Sequence, residues 1–171
     1  MSGVYFYYLS IGTNLNPEKN AVAITRELIS CFGRMYLFPF IHTLPEKLET
    51  ENHFLNAVAI IRCELDSQAL KSQLNEIEMK LGRNRKDPDR SNKDRPADID
   101  IISEPCAVLD ASCQPALEES YIKNVIDCTG DRADLTEFGL MFSDVPATVD
   151  LDMATGHIMI VEDSENRFIQ R

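Results

Sequence analysis

The chain has 171 residues, 44% of them hydrophobic, and a formal net charge of −11 at pH 7. This length supports one hydrophobic core, so we expect a single domain over residues 1–171. Residues 103–171 carry four Lys or Arg against 14 Asp or Glu, and this acidic balance argues against binding to long nucleic acid. No apolar run has membrane-spanning length and no basic segment precedes the first apolar residues, so we expect a soluble cytoplasmic protein without membrane contact.

The five cysteines indicate neither a disulfide framework nor a zinc ribbon, because their number is odd and no CxxC spacing occurs. We expect them to be small, buried hydrophobic residues. They are Cys31, Cys63, Cys106, Cys113 and Cys128.

Residue patterning over the first 103 residues predicts four strands and two helices in the order β-α-β-β-α-β. Apolar runs predict strands at 4–10, 35–42, 54–63 and 96–103, and Pro39 indicates an edge or a bulge in the second of them. Helical spacing predicts one helix from Pro17 to Gly33 and another from a cap at Asp66 or Ser67 to Gly82. This order predicts an α+β fold, a ferredoxin-like βαββαβ sheet with the helices on one face.

The remainder of the chain is expected to extend that core. We place the ferredoxin-like core at residues 1–104 and a divergent, acidic α/β extension at residues 105–171. In the extension we predict a helix between residues 115 and 126 and strands near 135–142 and 157–161. Turns are expected at Gly130-Asp131 and at Gly156.

Two aspartates stand out near the end of the core. Asp98 and Asp100 alternate with isoleucines, so both carboxylates leave one face of a strand, with Cα atoms about 6.5–7 Å apart. An exposed edge strand would show the same alternation. Seven basic residues between Lys80 and Arg95 precede the pair, however. Carboxylates and phosphates are the ligands that Mg²⁺ prefers, so this combination favours a site for a nucleotide triphosphate and its metal.

This stretch resembles the 6-hydroxymethyl-7,8-dihydropterin pyrophosphokinase family of the folate pathway. The motifs that carry the likeness are Glu78, Gly82-Arg83-Asn84-Arg85 and Arg95-Pro96-Ala97-Asp98-Ile99-Asp100, with Gly12-Thr13-Asn14-Leu15 and Phe54-Leu55-Asn56-Ala57-Val58 upstream. The likeness covers about the first 102 residues. It implies Mg²⁺-dependent transfer of pyrophosphate from ATP to the hydroxymethyl group of a dihydropterin, with release of AMP.

The resemblance also implies functions for single residues. Asp98 and Asp100 would bind two Mg²⁺ ions and, with Arg85 and Arg95, form the catalytic set. The implied ATP contacts are Asn75, Glu78, Arg83, Arg85, Arg90, Arg95 and Ile101. The implied pterin contacts are Thr43, Leu44, Pro45, Phe54 and Asn56. The partners would be ATP and a dihydropterin, and we expect a monomer or a weak homo-oligomer.

Other interpretations stay open. The basic loop at residues 83–95 could be a charged surface, and Asn75 and Glu78 could lie on a solvated helix face. The chain lacks the family's loop tryptophan and its later Pro-His and Arg-Phe motifs, which favours a catalytically altered paralogue that binds a pterin or nucleotide as a sensor or partner protein. The aromatic run from Tyr5 to Tyr8 is the one feature that suggests an RNA-binding module.

Overall fold

The computed structural model describes residues 3–45, 50–116, 118–140, 145–162 and Phe168. Over these residues, three helices accompany one sheet of eight strands. The helices are α1 (Pro17–Phe32), α2 (Ser67–Lys80) and α3 (Ser120–Ile126). The strands are β1 (Tyr5–Thr13), β2 (Met35–Leu37), β3 (Ile41–Thr43), β4 (Phe54–Cys63), β5 (Asp98–Ile101), β6 (Asp131–Arg132), β7 (Ala147–Leu151) and β8 (Ile158–Ile160).

The sheet confirms the predicted ferredoxin-like core. Its order is β5-β1-β4-β2-β7-β8, and β3 pairs with β4 and β6. The pairings within the sheet are antiparallel. The strands β5, β1, β4 and β2 form the arrangement that the βαββαβ order predicts, and β7 and β8 extend the same sheet beyond β2.

Pro39 lies in the bulge that the sequence suggested. Leu37 pairs with Ala59 and Ile41 pairs with Asn56, so three residues between them lie opposite only two on β4. The extra residue divides the predicted second strand into β2 and β3. It also changes which face the side chains occupy, because Leu37 packs in the core beneath α1 and α2 whereas Ile41 packs on the other face.

The two faces of the sheet have different covers. On the first face, Tyr7, Leu9 and Ile11 of β1 pack with the apolar sides of α1 and α2. On the second face, the alternate residue Tyr8 packs with Val58 and a group of residues that includes Ile122, Val125 and Phe168. The predicted pair of helices therefore shares one face, and the shorter α3 lies on the other.

The helix boundaries follow the capping residues that the sequence predicted. Asp66 caps α2 by accepting a hydrogen bond from the Ala69 N–H at 2.8 Å. Gly82, with φ of 104°, ends α2: its N–H bonds the Met79 carbonyl and the Arg83 N–H bonds the Glu78 carbonyl, both at 3.0 Å. This turn brings the chain at Arg83 back against Glu78.

The extension is only partly as predicted. Helix α3 and strand β8 confirm the predicted helix and last strand. The strand expected at 135–142 is wrong where the structure describes it, because Thr136–Phe138 is a 3-10 turn; residues 141–142 lie outside the described residues. The sequence patterns missed β6 and β7, which are short and pair with strands remote in the chain.

The expectation for the cysteines is also wrong. Cys106 and Cys113 form a disulfide with a Cα–Cα distance of 6.0 Å, and Cys31 is exposed. The aromatic run at the start of β1 does not form an exposed stacking surface, since Tyr7 and Tyr8 are buried. Within the described ranges, no helix has both the length and the apolar character that crossing a bilayer requires.

Candidate active site

A cleft of about 240 Å³ opens on the second face of the sheet, at the end that α3 and Phe168 leave uncovered. The residues around it come from β1, from the segment at β3, from β4, from β5 and from the start of α3. They are Ser10, Ile11, Gly12, Thr43, Leu44, Pro45, Phe54, Asn56, Arg95, Asp98, Asp100, Glu119 and Tyr121. All five predicted pterin contacts are in this set, together with both predicted metal ligands and Arg95.

The register of the sheet explains this convergence. Gly12 of β1 lies between Asn56 on one side and Asp98 on the other, and Ser10 lies beside Asp100. A Cβ at Gly12 would approach Asn56 Oδ1 to 2.9 Å, so glycine leaves the space that the Asn56 side chain occupies. The two aspartates share a face, as predicted, because Ile99 and Ile101 pack toward the opposite core.

Asp98 is held by two arginines. Arg83 Nη1 lies 2.8 Å from Asp98 Oδ1, and Arg95 Nη1 lies 2.7 Å from Oδ2. Burial acts to raise the pKa of Asp98, but the charges and hydrogen bonds of both guanidinium groups outweigh it and hold the pKa below its usual value. Asp98 is therefore a carboxylate, oriented through both oxygens, at neutral pH.

Arg95 is positioned by the turn that follows β1. The Asn14 side chain accepts a hydrogen bond from the Arg95 N–H at 2.8 Å, and the Asn14 N–H donates to the Arg95 carbonyl at 3.2 Å. The side chain of Asn14 also donates to Asp94 at 2.6 Å. The Gly12-Thr13-Asn14-Leu15 motif thus fixes the end of the basic loop against the sheet.

Glu78 does not lie on a solvated helix face. Its side chain is 0% exposed and its Oε1 accepts a hydrogen bond from the Ile99 N–H at 2.7 Å. Its Oε2 accepts a hydrogen bond from Arg85 and lies 3.2 Å from Arg83 Nη1. Burial raises the pKa of Glu78, while the Ile99 N–H and Arg83 act in the opposite direction. In this structure Glu78 joins α2, β5 and two arginines.

Asp100 has a different partner, which the sequence interpretation missed. Lys71 Nζ lies 2.7 Å from Asp100 Oδ1 and donates to the Ile99 carbonyl at 2.9 Å. The Asp100 side chain is 53% exposed, against 25% for Asp98. The two aspartates of the motif therefore differ in both exposure and counter-ion.

The residues at the opposite wall form a small polar and aromatic group. Asn56 is buried, and its amide nitrogen donates to the Thr43 hydroxyl. Its Oδ1 faces Gly12 at the base of the cleft. Phe54, two residues earlier on β4, lines the same wall with Leu44 and Pro45. This wall offers an aromatic surface beside one oriented amide.

Glu119 and Tyr121 complete the cleft from the extension, and the sequence interpretation assigned neither a function. The Tyr121 hydroxyl donates to Glu119, and burial together with that carboxylate raises the pKa of Tyr121, with Asp98 and Asp100 contributing. Tyr121 therefore remains a neutral phenol facing the aspartates. Tyr121 could have been recognised from its position in the predicted helix, directly before Ile122, which is buried.

The structure does not bring every predicted residue to the cleft. Arg90 is exposed and bonds its own loop at the Asp87 carbonyl. Arg83 and Arg85 pair with Glu78 and are not among the residues that line the cleft. Ile101 turns its side chain toward the first core, and Asn75 lies on α2 with its Oδ1 buried. The proposed contacts of these residues with ATP stay predictions.

The donor set at the aspartates suits a hard cation. Two carboxylates open onto the same cleft, one of them half-exposed. Across the described ranges, no cluster of three or more His, Cys, Asp or Glu forms a complete protein cage for a metal. Mg²⁺ typically takes one or two carboxylates and fills its remaining positions with water and substrate phosphates, so Asp98 and Asp100 fit that ion when a phosphate ligand is present.

Comparison with known proteins agrees with this arrangement. Residues 8–125 match the family described as 7,8-dihydro-6-hydroxymethylpterin-pyrophosphokinase. This match continues beyond residue 102 and ends within α3. Two proteins of Porphyromonas gingivalis, from strains ATCC 33277 and W83, are each 37% identical to this chain over 97 residues. Both are named 2-amino-4-hydroxy-6-hydroxymethyldihydropteridine pyrophosphokinase.

Those matches cover 56% of this chain and 66% of each relative. The matched region of this chain runs from Tyr8, within β1, through β5, and it contains both aspartates and the cleft residues Glu119 and Tyr121. The chain belongs to the 7,8-dihydro-6-hydroxymethylpterin pyrophosphokinase family.

Proposed function

We propose that this protein transfers pyrophosphate from ATP to the hydroxymethyl group of 6-hydroxymethyl-7,8-dihydropterin, giving AMP and the pterin diphosphate. The observation that carries the proposal is the composition of the cleft. One cavity unites an aromatic and amide wall, at Phe54 and Asn56, with Arg95 and the two aspartates. A flat heterocycle and a triphosphate need these two kinds of surface side by side.

The wall at Asn56 is the proposed pterin site. The Thr43 hydroxyl accepts from the amide nitrogen, which orients Asn56 and turns its oxygen toward Gly12 as an acceptor for a ring N–H. Phe54 and Tyr121 supply aromatic surface at the same cavity. Rigid placement of the ring would hold its hydroxymethyl group toward the aspartate end of the cleft.

Arg95 is the proposed phosphate contact within the cleft. It is fixed through its backbone by Asn14 and through its guanidinium by Asp98 and the Ser91 carbonyl. A preorganised cation at this position would stabilise charge that develops as the pyrophosphoryl group moves. Arg83 and Arg85, held by Glu78, would supply positive potential behind it.

Asp98 and Asp100 are the proposed ligands of Mg²⁺. When bound, the metal supplies charge neutralisation on the triphosphate, the usual function of such ions in phosphoryl transfer. The depressed pKa of Asp98 keeps this carboxylate ionised and able to coordinate. The resemblance implies two Mg²⁺ ions, and we propose that number for this site.

The nucleotide base is proposed to lie along the outer edge of β5. Ile102 donates to β1 at Tyr8, and backbone groups alternate along a strand, so those of Ile101 point to the open edge. Asn75 lies on the face of α2 that carries Glu78 and approaches β5. These positions of Ile101 and Asn75 support the proposal that the base bonds to this edge of the strand.

Phosphorus NMR of the protein with ATP, Mg²⁺ and 6-hydroxymethyl-7,8-dihydropterin tests this function. We expect AMP and a pterin diphosphate to form. Asp98→Asn is expected to slow the reaction by at least about a hundredfold, the typical effect of removing a major electrostatic contact. Asp127→Asn is the matched control, because Asp127 pairs with Lys123 on α3 away from the cleft set.

Circular dichroism of both variants separates loss of chemistry from loss of fold. Should the wild-type protein bind ATP or the dihydropterin by calorimetry and form no AMP, the enzymatic proposal is wrong and the chain is a binding paralogue. Equal rates for the two variants would remove Asp98 from the mechanism while leaving the reaction in place.

A further inference from the structure

Lys71 lies where helix α2 meets the outer edge of β5. It precedes Glu78 by seven residues, which places both side chains on one face of the helix. Both reach the same residue of the strand: Glu78 accepts from the Ile99 N–H at 2.7 Å and Lys71 donates to the Ile99 carbonyl at 2.9 Å. Two side chains of opposite charge thus satisfy the backbone groups of an edge strand.

Lys71 makes one more contact than this edge function requires. From the helix side of the sheet, its ammonium group passes the strand edge and lies 2.7 Å from Asp100 Oδ1. Asp100 opens onto the cleft on the other face. The long aliphatic stem of lysine permits such a reach, with its charged end in a wet, half-exposed position.

This contact places the Lys71 ammonium group on Asp100, the carboxylate that the proposed function assigns as a ligand of a divalent metal. We propose that Lys71 is a positioning residue for Asp100: it holds the carboxylate in the ligand-free protein and competes with free divalent cations for it. The inference rests on the proposed function for the assignment of Asp100 as a metal ligand. It adds that metal binding to this aspartate requires exchange with an internal ammonium group.

Because the two aspartates differ in exposure and in their partners, we expect this exchange at Asp100 and not at Asp98. Asp98 is a quarter exposed and bound through both oxygens by arginines, which remain charged at all accessible pH values. The Lys71–Asp100 pair is more exposed, with side-chain exposures of 35% and 53%. Pairs of that exposure contribute little stability, so the ammonium group can be displaced when a metal arrives together with triphosphate.

Binding of Mn²⁺ to the nucleotide-free protein, followed by the electron paramagnetic resonance signal of the free ion, tests the inference without any turnover. Lys71→Met keeps an apolar stem and removes the charge. We expect it to bind Mn²⁺ about three- to tenfold more tightly than the wild type, in proportion to the modest strength of a half-exposed pair. Lys71→Arg keeps a cation at the position and is expected to bind like the wild type.

Lys80→Met is the matched control on the same helix. Lys80 pairs with Glu27 and makes none of its described contacts with the aspartates. It changes the net charge by the same amount, so a gain in affinity confined to Lys71→Met identifies the local contact. Adding Asp100→Asn to Lys71→Met is expected to abolish that gain, which places the gained metal contact on Asp100.

Affinities in Lys71→Met that equal or fall below the wild-type value would overturn the inference, as would an equal gain in Lys80→Met. The failure of the proposed function looks different. In that case no AMP would form from ATP, Mg²⁺ and the dihydropterin, whatever the Mn²⁺ affinities of the Lys71 variants.

Discussion

The second face of the sheet has one end that is covered and one end that is open, and the change runs along a single strand. On this face β1 presents Tyr8, then Ser10, then Gly12. Tyr8 packs with the residues of α3 and Phe168, whereas Ser10 and Gly12 form the floor of the cleft. The large side chain of Tyr8 thus packs beneath α3, whereas the small residues Ser10 and Gly12 leave space for a ligand.

The extension contributes residues to both ends of this face. Ile122 and Val125 of α3 pack on the covered end, while Tyr121 and Glu119, at the start of the same helix, line the open end. Apolar packing of one side of a short helix therefore positions polar side chains over the aspartates. Loss of packing on the apolar side of this helix should therefore lower stability and, through Tyr121, also weaken ligand binding.

Loss of packing at the covered end should give the largest stability effect. Ile122→Ala removes a buried side chain from α3, and we expect the free energy of unfolding to fall by about 2–4 kcal/mol. Because α3 carries Tyr121, KM for the proposed dihydropterin substrate should also rise. Urea denaturation and steady-state kinetics measure the two effects.

Ile160→Ala is the control for this change. Ile160 is the same residue type on edge strand β8 and is 41% exposed, so its truncation should alter stability by much less. Similar losses in the two variants would show that α3 is not held by packing on the covered end.

A change at the open end should affect binding more than stability. Gly12→Ala places a methyl group 2.9 Å from Asn56 Oδ1 and forces that side chain to move. We expect KM for the dihydropterin to rise about tenfold, equivalent to one misplaced hydrogen-bond acceptor, with circular dichroism and the urea midpoint nearly unchanged.

The Gly12→Ala effect should act through Asn56. In a double-mutant cycle, Gly12→Ala should therefore add little to the KM of Asn56→Ala. Full additivity would mean that the methyl group blocks the cleft directly and that Asn56 is not the affected contact.

The smallest effect concerns pH and again separates the two ends. The folded-state pKa of Asp98 is lower than its ordinary value, so its charge contributes stability above the unfolded pKa of about 3.9 and loses that contribution as pH falls through the folded pKa. The stability difference between wild type and Asp98→Asn should be constant from about pH 7 to 5 and shrink below about pH 4. The difference for Ile122→Ala should be independent of pH, as chemical denaturation across this range can establish.

Local patterns predicted the parts of the structure that depend on neighbouring residues. The caps at Asp66 and Gly82, the shared face of Asp98 and Asp100, and the βαββαβ order all follow from short-range spacing. The cleft residues of β3 and β4 were assigned through family motifs, and the antiparallel register then placed them beside the aspartates.

The features that the sequence did not predict depend on contacts between remote segments. Lys71 is an ordinary helix residue until β5 lies beside it. Glu78 was predicted to contact ATP, with a solvated helix face as the alternative, and neither interpretation included its burial against Ile99 of β5. The disulfide is an exception, because Cys106 and Cys113 are only seven residues apart, and it was missed because the odd number of cysteines argued against pairing. Strand β7 is recognisable through its pairing with β2 and β8.

The bulge at Pro39 has a consequence for how the chain tolerates changes in length. Side chains on a strand alternate between faces, so the extra residue is what turns Thr43 toward Asn56 instead of toward the helices. Deleting one residue here would leave the hydrophobic character of the segment intact and yet rotate Thr43 out of the cleft. For this segment, inserting or deleting an odd number of residues should remove Thr43 from the cleft. An even number should keep Thr43 on the same face of the sheet.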